Sequence, residues 1–316
     1  MFYYLLKVYA RLAIHLYCNK IVVNKKELLK IKGPVLFAAN HPNSFLDGVI
    51  LSTLLDQTLY SLTRGDVFKN KTAGKILSWL KLLPVYRTSE GAHNLAHNYT
   101  TFAACHQVFK EKQIVLIFSE AGSINEWGLR PLRKGTARLA FSSWLQGINV
   151  KVIPLAFNYD SFKKFGKEIH LNFGEEIRFE TFNHDTDGKQ LNDFTQQLEQ
   201  QLRSLVYTAK DEDAAQKFFS SKKATVKTAL LLLPGIIGWL VHAPLFYACR
   251  LITASKFKQS DHYDGVLTAL LFFIYPFFLL LLVVITSTYN LFIGLSLILI
   301  LPFLAWCWLQ VKHLFK

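Results

Sequence analysis

The feature that most constrains this chain is a pair of uncharged apolar stretches near the C-terminus, at 266–285 and 291–309. Each is about as long as the roughly 20 apolar residues that a helix needs to cross a bilayer core. The segment between them, 286–290, is long enough only for a turn, so the two stretches predict a helical hairpin. Both outer flanks then lie on one side of the membrane. Their lysines, such as Lys258 and Lys312, predict that this side is cytoplasmic.

The apolar segment just before the hairpin, 228–249, has a different pattern. Pro234 and Pro244 interrupt helical hydrogen bonding, and basic residues flank both ends of the segment. We therefore expect it to enter the membrane and return, or to lie in the membrane plane. A third true span is the alternative. Together with the hairpin it forms a predicted membrane region, 227–316.

The N-terminal segment, 1–19, is aromatic and aliphatic but carries Lys7, Arg11 and His15 at helical spacing, so these three residues form one polar stripe. Charges in its middle argue against a span. The pattern predicts a helix lying in the interface, with its cations near lipid headgroups. An ordinary amphipathic helix packed on the following domain is the alternative.

Between these apolar segments, 20–209 alternates short apolar strands with amphipathic helices. This alternation predicts an α/β domain with a mixed sheet flanked by helices and a site at the strand ends. A polar linker, 210–226, follows it. The predicted strands are Ile21–Val23, Pro34–Ala39, Thr58–Leu62, Ile114–Phe118, Val150–Phe157 and Glu168–Phe173.

The composition limits the classes of partner that we expect the chain to bind. The formal net charge is +14, which favours a polyanionic partner such as an anionic membrane or a phosphorylated substrate. The chain has no block of alternating basic and aromatic residues typical of nucleic-acid recognition, so we expect no nucleic-acid partner. The four cysteines are scattered without CxxC spacing, which predicts neither a zinc site nor a disulfide framework.

A histidine and an aspartate follow the buried strand that ends at Ala39. His41 lies in a polar turn and Asp47 stands six positions further on. An imidazole at a strand end is well placed to take a proton, and a nearby carboxylate stabilises the imidazolium. Alone, such a pair is more often a structural histidine beside a helix-capping aspartate.

Three other blocks fall where alternating elements bring loops to one edge of a sheet. In the first, Arg87 ends an apolar strand and is suited to bind phosphate. In the second, Glu120 precedes a small turn with free backbone N–H groups, and it either contacts a headgroup or holds Arg87 or another cation. In the third, Arg133 and Lys134 lie in a basic stretch, 129–136, before a predicted helix, whose N-terminus also attracts anions.

Taken in order, these blocks resemble the glycerophospholipid acyltransferase family. The resemblance is carried by Asn40-His41 with Asp47, by 84–87, by 118–123 and by 153–155. The linking segments 62–70 and 132–138 resemble the branch that acylates glycerol phosphate or dihydroxyacetone phosphate.

Two departures from the family pattern stand out. Five residues, rather than the commoner four, separate His41 from Asp47, which predicts a bulged turn between them. Ser119 and Ala121 stand where the family usually has proline and glycine. We expect the methyl group of Ala121 to narrow the headgroup site or restrict its backbone.

The resemblance implies a membrane-bound enzyme that moves a fatty acyl group from acyl-CoA or acyl carrier protein to a glycerol-phosphate hydroxyl. His41 is then the general base and Asp47 its orienting group, and no metal or other cofactor is needed. The expected substrate-binding residues are Asn40, Arg87, Glu120, Gly122, Ser123, Arg133 and Lys134. Lysophospholipid remodelling is the nearest alternative reaction, and a non-catalytic membrane scaffold is the alternative class of protein.

Overall fold

The computed structural model describes residues 2–86, 97–182, 187–219 and 225–315. Arg87 and part of the predicted polar linker lie outside the described residues. The chain divides into two compact units. The first unit comprises Met1–Val8, Val22–Tyr159 and His170–Asp211, and the second comprises Tyr9–Ile21, Asp160–Ile169 and Glu212–Lys316.

The chain forms a seven-stranded sheet with helices around it, which confirms the predicted α/β fold. The strand order is β1-β7-β6-β2-β5-β3-β4. The strands are β1 Cys18–Val23, β2 Val35–Ala39, β3 Leu59–Arg64, β4 Leu82–Val85, β5 Ile114–Phe118, β6 Lys151–Tyr159 and β7 Lys167–Phe173.

The helices are α1 Phe2–Tyr17, α2 Ser44–Leu54, α3 Lys71–Trp79, α4 His97–Lys110, α5 Gly135–Leu145, α6 Asp187–Leu205, α7 Glu212–Gln216, α8 Val226–Leu230, α9 Leu232–Phe257, α10 Tyr263–Ser287 and α11 Leu291–Val311. Strand β2 is buried along its whole length, as expected of a continuous apolar run in a parallel sheet with both faces covered. Packed against the sheet are Phe109 of α4, Phe141 of α5 and Leu198 of α6.

The pairing of the central strands positions the loops that follow them. Strand β2 runs parallel to both β5 and β6, with Ala39 opposite Phe118 and Leu155. Strand β3 is parallel to β5 and β4. Because the carboxyl ends of parallel strands meet at one edge of a sheet, the turns that begin at Asn40 and Ser119 are neighbours.

The first turns of α1 differ from the predicted arrangement. Lys7 does not extend as part of an outward polar stripe: its Nζ donates to the carbonyl oxygens of Leu55, at 2.6 Å, and Gln57, at 3.0 Å. Those carbonyls follow the end of α2, where backbone oxygens lack helical partners. The apolar side chains Leu5 and Val8 are exposed instead.

Among the described residues, three helical stretches are long and apolar enough to cross a membrane: α9, α10 and Leu291–Phe315. The predicted hairpin corresponds to α10 and α11. The predicted interruption of the preceding segment is absent, because α9 continues through Pro244. Pro234 lies in the first turn of α9, where the N–H that proline lacks has no helical partner.

Both halves of α9 pack on the same ends of α10 and α11. Near its start, Gly235 lies against Val311, the last residue of α11. In its second half, Cys249 packs with Tyr263, the first residue of α10. These contacts lie at the hairpin ends remote from the turn at 288–290.

The second unit contains a buried ion pair. The Nζ of Lys167 donates to Asp264, and both side chains have no exposed surface. The hydroxyl of Tyr17 donates to the other carboxylate oxygen of Asp264, and the carbonyl of Phe162 accepts a second bond from Lys167 at 3.0 Å. Burial, followed by the charge of Asp264, raises the pKa of Tyr17 well above its ordinary value.

Candidate active site

The histidine and aspartate that follow β2 are in direct contact. The Nδ1 of His41 lies 2.9 Å from Oδ2 of Asp47, as the prediction requires. Asp47 is fully buried, whereas the side chain of His41 is 15% exposed. A bulge accommodates the additional residue: Ser44 has a left-handed φ of 49°, and the backbone N–H of Asn43 donates to Asp47 at 3.0 Å.

Asn40 fixes the start of this turn to the neighbouring strand. Its amide oxygen accepts from the N–H of Phe157 at 2.8 Å, and its amide nitrogen donates to the carbonyl of Phe157 at 3.1 Å. Asn40 is buried, and this paired contact holds the end of β2 against β6. A direct contact between Asn40 and substrate stays a prediction.

A tyrosine that the sequence did not single out completes the environment of Asp47. Tyr159, the last residue of β6, donates from its hydroxyl to Oδ1 of Asp47 at 2.5 Å. The indole N–H of Trp127 donates to the carbonyl of Tyr159 at 2.7 Å. Both oxygens of Asp47 are therefore bonded, one to a phenol and the other to the imidazole of His41.

The imidazole of His41 is also held by stacking. Its ring lies parallel to that of Phe118, with the ring centroids 3.6 Å apart. Phe118 is the last residue of β5, next to the end of β2. The stacking contact and the hydrogen bond between Nδ1 and Asp47 together hold the ring in one orientation. The ring nitrogen that does not bond Asp47 is Nε2.

Glu120 connects the second block to the histidine. Its Oε2 accepts the backbone N–H of His41 at 2.9 Å and a guanidinium N–H of Arg130 at 2.9 Å. Its Oε1 accepts the backbone N–H of Arg130 at 2.9 Å. Glu120 therefore holds a cation, as one of the two predicted arrangements requires, and among the described residues that cation is Arg130.

Arg130 is the second residue that sequence reasoning passed over. It belongs to the basic stretch that supplied Arg133 and Lys134 as candidates. Its guanidinium also donates to the carbonyl of Gly122. A signal was present, because a buried glutamate needs a cation or several donors, and Arg130 is the first cation after the turn.

The loop that follows Glu120 is also bonded to the turn that carries His41. The backbone N–H of Ser44 donates to Oγ of Ser123 at 2.6 Å, and Asn125 donates to the carbonyl of Pro42 at 2.7 Å. Ala121 has a left-handed φ of 55°, a conformation that glycine adopts without strain. The glycine usual in the family at this position therefore has a conformational reason.

The basic stretch begins a helix beside this turn. The backbone N–H of Arg133 donates to the carbonyl of Ser119 at 2.8 Å, and the hydroxyls of Ser119 and Thr136 are 2.9 Å apart. Arg133 and Lys134 have exposed side chains, just ahead of the first turn of α5. Cationic side chains and a helix N-terminus therefore meet next to the loop that carries Glu120.

Arg87 follows β4 and lies outside the described residues, so its predicted role stays a prediction. Within the residues that the structure describes, no cluster of His, Cys, Asp or Glu side chains has the arrangement of a metal site. Among these same residues, the candidate site consists of a base, two acids, a phenol and a group of cations.

Comparison with known proteins gives one family match and one solved structure. The solved structure is the 1-acyl-sn-glycerophosphate acyltransferase PlsC from Thermotoga maritima, which matches this chain with 12% identity and a TM-score of 0.46. The match covers 70% of this chain and 82% of that one. Comparison with curated protein sequences gives no significant match. Residues 20–158 match the model of the Acyltransferase family, which confirms the resemblance found in the four blocks.

Proposed function

We propose that this protein is a membrane-bound enzyme that transfers a fatty acyl group from acyl-CoA or acyl carrier protein to a hydroxyl of lysophosphatidate or glycerol 3-phosphate. The observation that carries the proposal is the contact of 2.9 Å between His41 and Asp47 inside a matched acyltransferase domain. The product would be phosphatidate or its monoacyl precursor.

The proposed reaction needs a base but no protein nucleophile. Nδ1 of His41 is engaged by Asp47, so Nε2 takes the proton as the substrate oxygen attacks the thioester carbonyl carbon. The new C–O bond forms a tetrahedral oxyanion. That intermediate collapses by breaking the C–S bond, and the imidazolium returns its proton to the departing thiolate. A positioned base of this kind contributes about 10²–10⁴-fold in rate.

Asp47 keeps the imidazole in the required tautomer and stabilises the imidazolium that forms during attack. Tyr159 and the N–H of Asn43 hold Asp47 in turn. Glu120 accepts the N–H of His41 and is itself fixed by Arg130, so Arg130 positions the base through one intermediary. We assign no role to any metal or other cofactor.

The acceptor phosphate would lie by the N-terminus of α5. The exposed side chains of Arg133 and Lys134 support this assignment, together with the positive end of the helix dipole. Arg130 is committed to Glu120 and is a weaker candidate for phosphate binding. Arg87, Gly122 and Ser123 complete the proposed acceptor site by family resemblance, and backbone N–H groups near Gly122 would stabilise the oxyanion.

The membrane anchor would be the α10–α11 hairpin, with both outer flanks on the cytoplasmic side. Helix α9 would enter the membrane and return by bending at Pro244, where proline removes one helical hydrogen bond without ending the helix. This proposal is supported by its two halves, which contact Val311 and Tyr263 at the same ends of the hairpin. A cysteine introduced at Ser255 should be labelled from the cytoplasmic side; labelling from the opposite side would make α9 a third span.

The function is tested with the full-length protein reconstituted in lipid. Labelled acyl-CoA and acyl carrier protein are offered with a panel of acceptors: glycerol 3-phosphate, dihydroxyacetone phosphate, lysophosphatidate and zwitterionic lysolipids. We expect transfer to a phosphate-bearing acceptor. Preference for a zwitterionic lysolipid would instead show lysophospholipid remodelling, and absence of transfer to every acceptor would favour the scaffold.

The matched variant for this assay is His41→Ala. We expect it to lose acyl transfer by at least about 10²-fold while the protein remains folded and membrane-bound. Activity that survives this substitution would show that His41 is not the base.

A further inference from the structure

The first unit exposes an apolar surface formed by two helices, which we call the interfacial patch. It comprises Phe2, Leu5 and Val8 at the start of α1 together with Ile76 and Trp79 of α3. Leu5 is 63% exposed and Trp79 is 52% exposed. The rings of Phe2 and Trp79 meet edge to face with centroids 6.2 Å apart, so the two helices contribute to one continuous surface.

The polar and apolar faces at the start of α1 are reversed relative to those of a helix that faces water. Its polar groups point inward: Lys7 donates to three backbone carbonyls, and the hydroxyl of Tyr3 bonds Ser52 at 3.1 Å. Its apolar side chains Leu5 and Val8 point outward. A surface helix in water normally buries its apolar face, so this arrangement indicates that the outer face meets something other than water.

Helix α3 combines apolar and cationic groups on its exposed face. The Nζ of Lys75 lies 5.5 Å from the ring centroid of Trp79, and Lys71 is exposed one turn before Lys75. Tryptophan with neighbouring lysines is typical of the boundary between lipid headgroups and acyl chains. There the indole is partly buried, and the ammonium groups reach the phosphates.

The charged side chains of the two helices that form the patch are all basic. Neither α1 nor α3 contains an acidic residue. Asp66, in the turn just before α3, is paired with Arg64 through two bonds, at 3.1 and 2.5 Å. A protein partner of mixed charge would find no carboxylate on either helix, whereas a surface of phosphate groups would complement the lysines.

We propose that the interfacial patch docks on anionic phospholipid, with Trp79 and Ile76 below the headgroups and Lys71 and Lys75 among the phosphates. The patch would hold the first unit against the membrane in addition to any spanning helix. The proposal concerns a surface and not the reaction, so it holds for any acceptor.

The test measures how deeply α3 lies in a bilayer of phosphatidylglycerol and phosphatidylcholine. The full-length protein carries one introduced cysteine, Ile76→Cys, modified with a nitroxide spin label. The native cysteines at 18, 105, 249 and 307 are buried, which favours labelling of the new one. Gln200→Cys, at an exposed position of α6, is the matched control.

We expect the label at position 76 to collide more with oxygen, which concentrates in lipid, than with a water-soluble nickel complex. The label at position 200 should show the reverse. Equal access to the nickel complex at the two positions would overturn the proposal. Spin–spin broadening at position 76 that grows with protein density would also overturn it, in favour of a second copy of the chain.

A charge-reversal pair tests the lysines. In the Ile76→Cys protein, Lys71→Glu with Lys75→Glu should abolish any difference in label depth between anionic and purely zwitterionic bilayers. Lys189→Glu with Lys210→Glu changes the net charge equally at exposed positions outside the patch and should preserve that difference. An equal response of the two double variants would refute a specific role for the α3 lysines. Because depth is measured without substrate, these outcomes do not depend on whether the protein transfers acyl groups.

Discussion

Two buried aspartates, one in each unit, have closely similar partners. Asp47 accepts the hydroxyl of Tyr159 on one oxygen and the imidazole of His41 on the other. Asp264 accepts the hydroxyl of Tyr17 on one oxygen and the ammonium of Lys167 on the other. Both carboxylates are fully buried, so each depends on its partners for the stabilisation that water would otherwise supply.

The basic partners decide what each cluster is able to do. The side chain of His41 retains 15% exposure, and imidazole is the side chain that most often serves as a general base. The side chain of Lys167 has no exposed surface, and its ammonium is bonded to a carboxylate and to a backbone carbonyl. An aspartate with a tyrosine and a basic partner is therefore not in itself a catalytic arrangement. Access to the base separates a reactive cluster from a structural one.

The largest difference between the two clusters is expected in the rate of acyl transfer when each aspartate is replaced by asparagine. Asp47→Asn should lower the rate of acyl transfer about 10²–10³-fold, because a neutral amide neither orients the imidazole correctly nor stabilises its cation. The matched Asp264→Asn should leave the rate per folded molecule unchanged and lower the stability. Initial rates and thermal unfolding of both proteins are the measurements. A similar loss of rate in both variants would end the distinction between the clusters.

Removing the cation of the structural cluster should produce a large loss of stability. Lys167→Met leaves the carboxylate of Asp264 buried without its counter-charge, which we expect to cost about 3–5 kcal/mol in the free energy of unfolding. Denaturant unfolding in detergent micelles measures this. The double variant Lys167→Met with Asp264→Leu should recover most of the loss, because no unpaired charge then remains buried. A single variant as stable as the parent would contradict the assignment.

The two tyrosines provide a smaller contrast. Tyr159→Phe removes one bond to Asp47 and should lower kcat about 10-fold, with KM for the acyl donor unchanged, because the carboxylate then orients His41 less firmly. Tyr17→Phe serves as the control and should leave kcat unchanged. If KM rose and kcat stayed constant in Tyr159→Phe, the tyrosine would contribute to binding and not to the positioning of the base.

The smallest expected effect is a dependence of stability on pH. Burial raises the pKa of Cys18 from 9.0 to about 12 and that of Tyr17 well above 10.0. A group whose pKa is higher in the folded state stabilises it below the unfolded pKa, and this contribution is lost as pH rises. Thermal stability should therefore fall as pH rises above about 9. Tyr17→Phe should reduce the slope above pH 10, and an unchanged slope would contradict the role given to Tyr17.

The sequence is sufficient to predict the fold and the loops that carry the site, because both depend on local patterns. Buried strands are continuous apolar runs, and the residues directly after β2 and β5 must meet where those parallel strands end. Tyr159 could not be assigned in this way. Tyr159 reaches Asp47 from 112 positions away in the chain, and only the end of β6 next to β2 brings them together.

In the second unit, hydropathy predicts the helices but not their tertiary contacts. It identifies α9, α10 and α11 as apolar, but it does not show which ends pack together. The buried pair of Lys167 and Asp264 was also not predicted, because a lysine on a strand and an aspartate in the first turn of a helix are both ordinary at a surface. Their burial results from the tertiary packing of distant segments.

The packing of α9 has a consequence for the order in which the chain is assembled during synthesis. Gly238 has no space for a side chain, because a Cβ there would collide with the carbonyl oxygen of Leu304 in α11. A chain emerges from the ribosome N-terminus first, so α9 is complete before α11 exists. In the proposed membrane-bound state, lipid or the insertion machinery would hold α9 during this interval, and the last helix to be made would determine the final position of the earlier one.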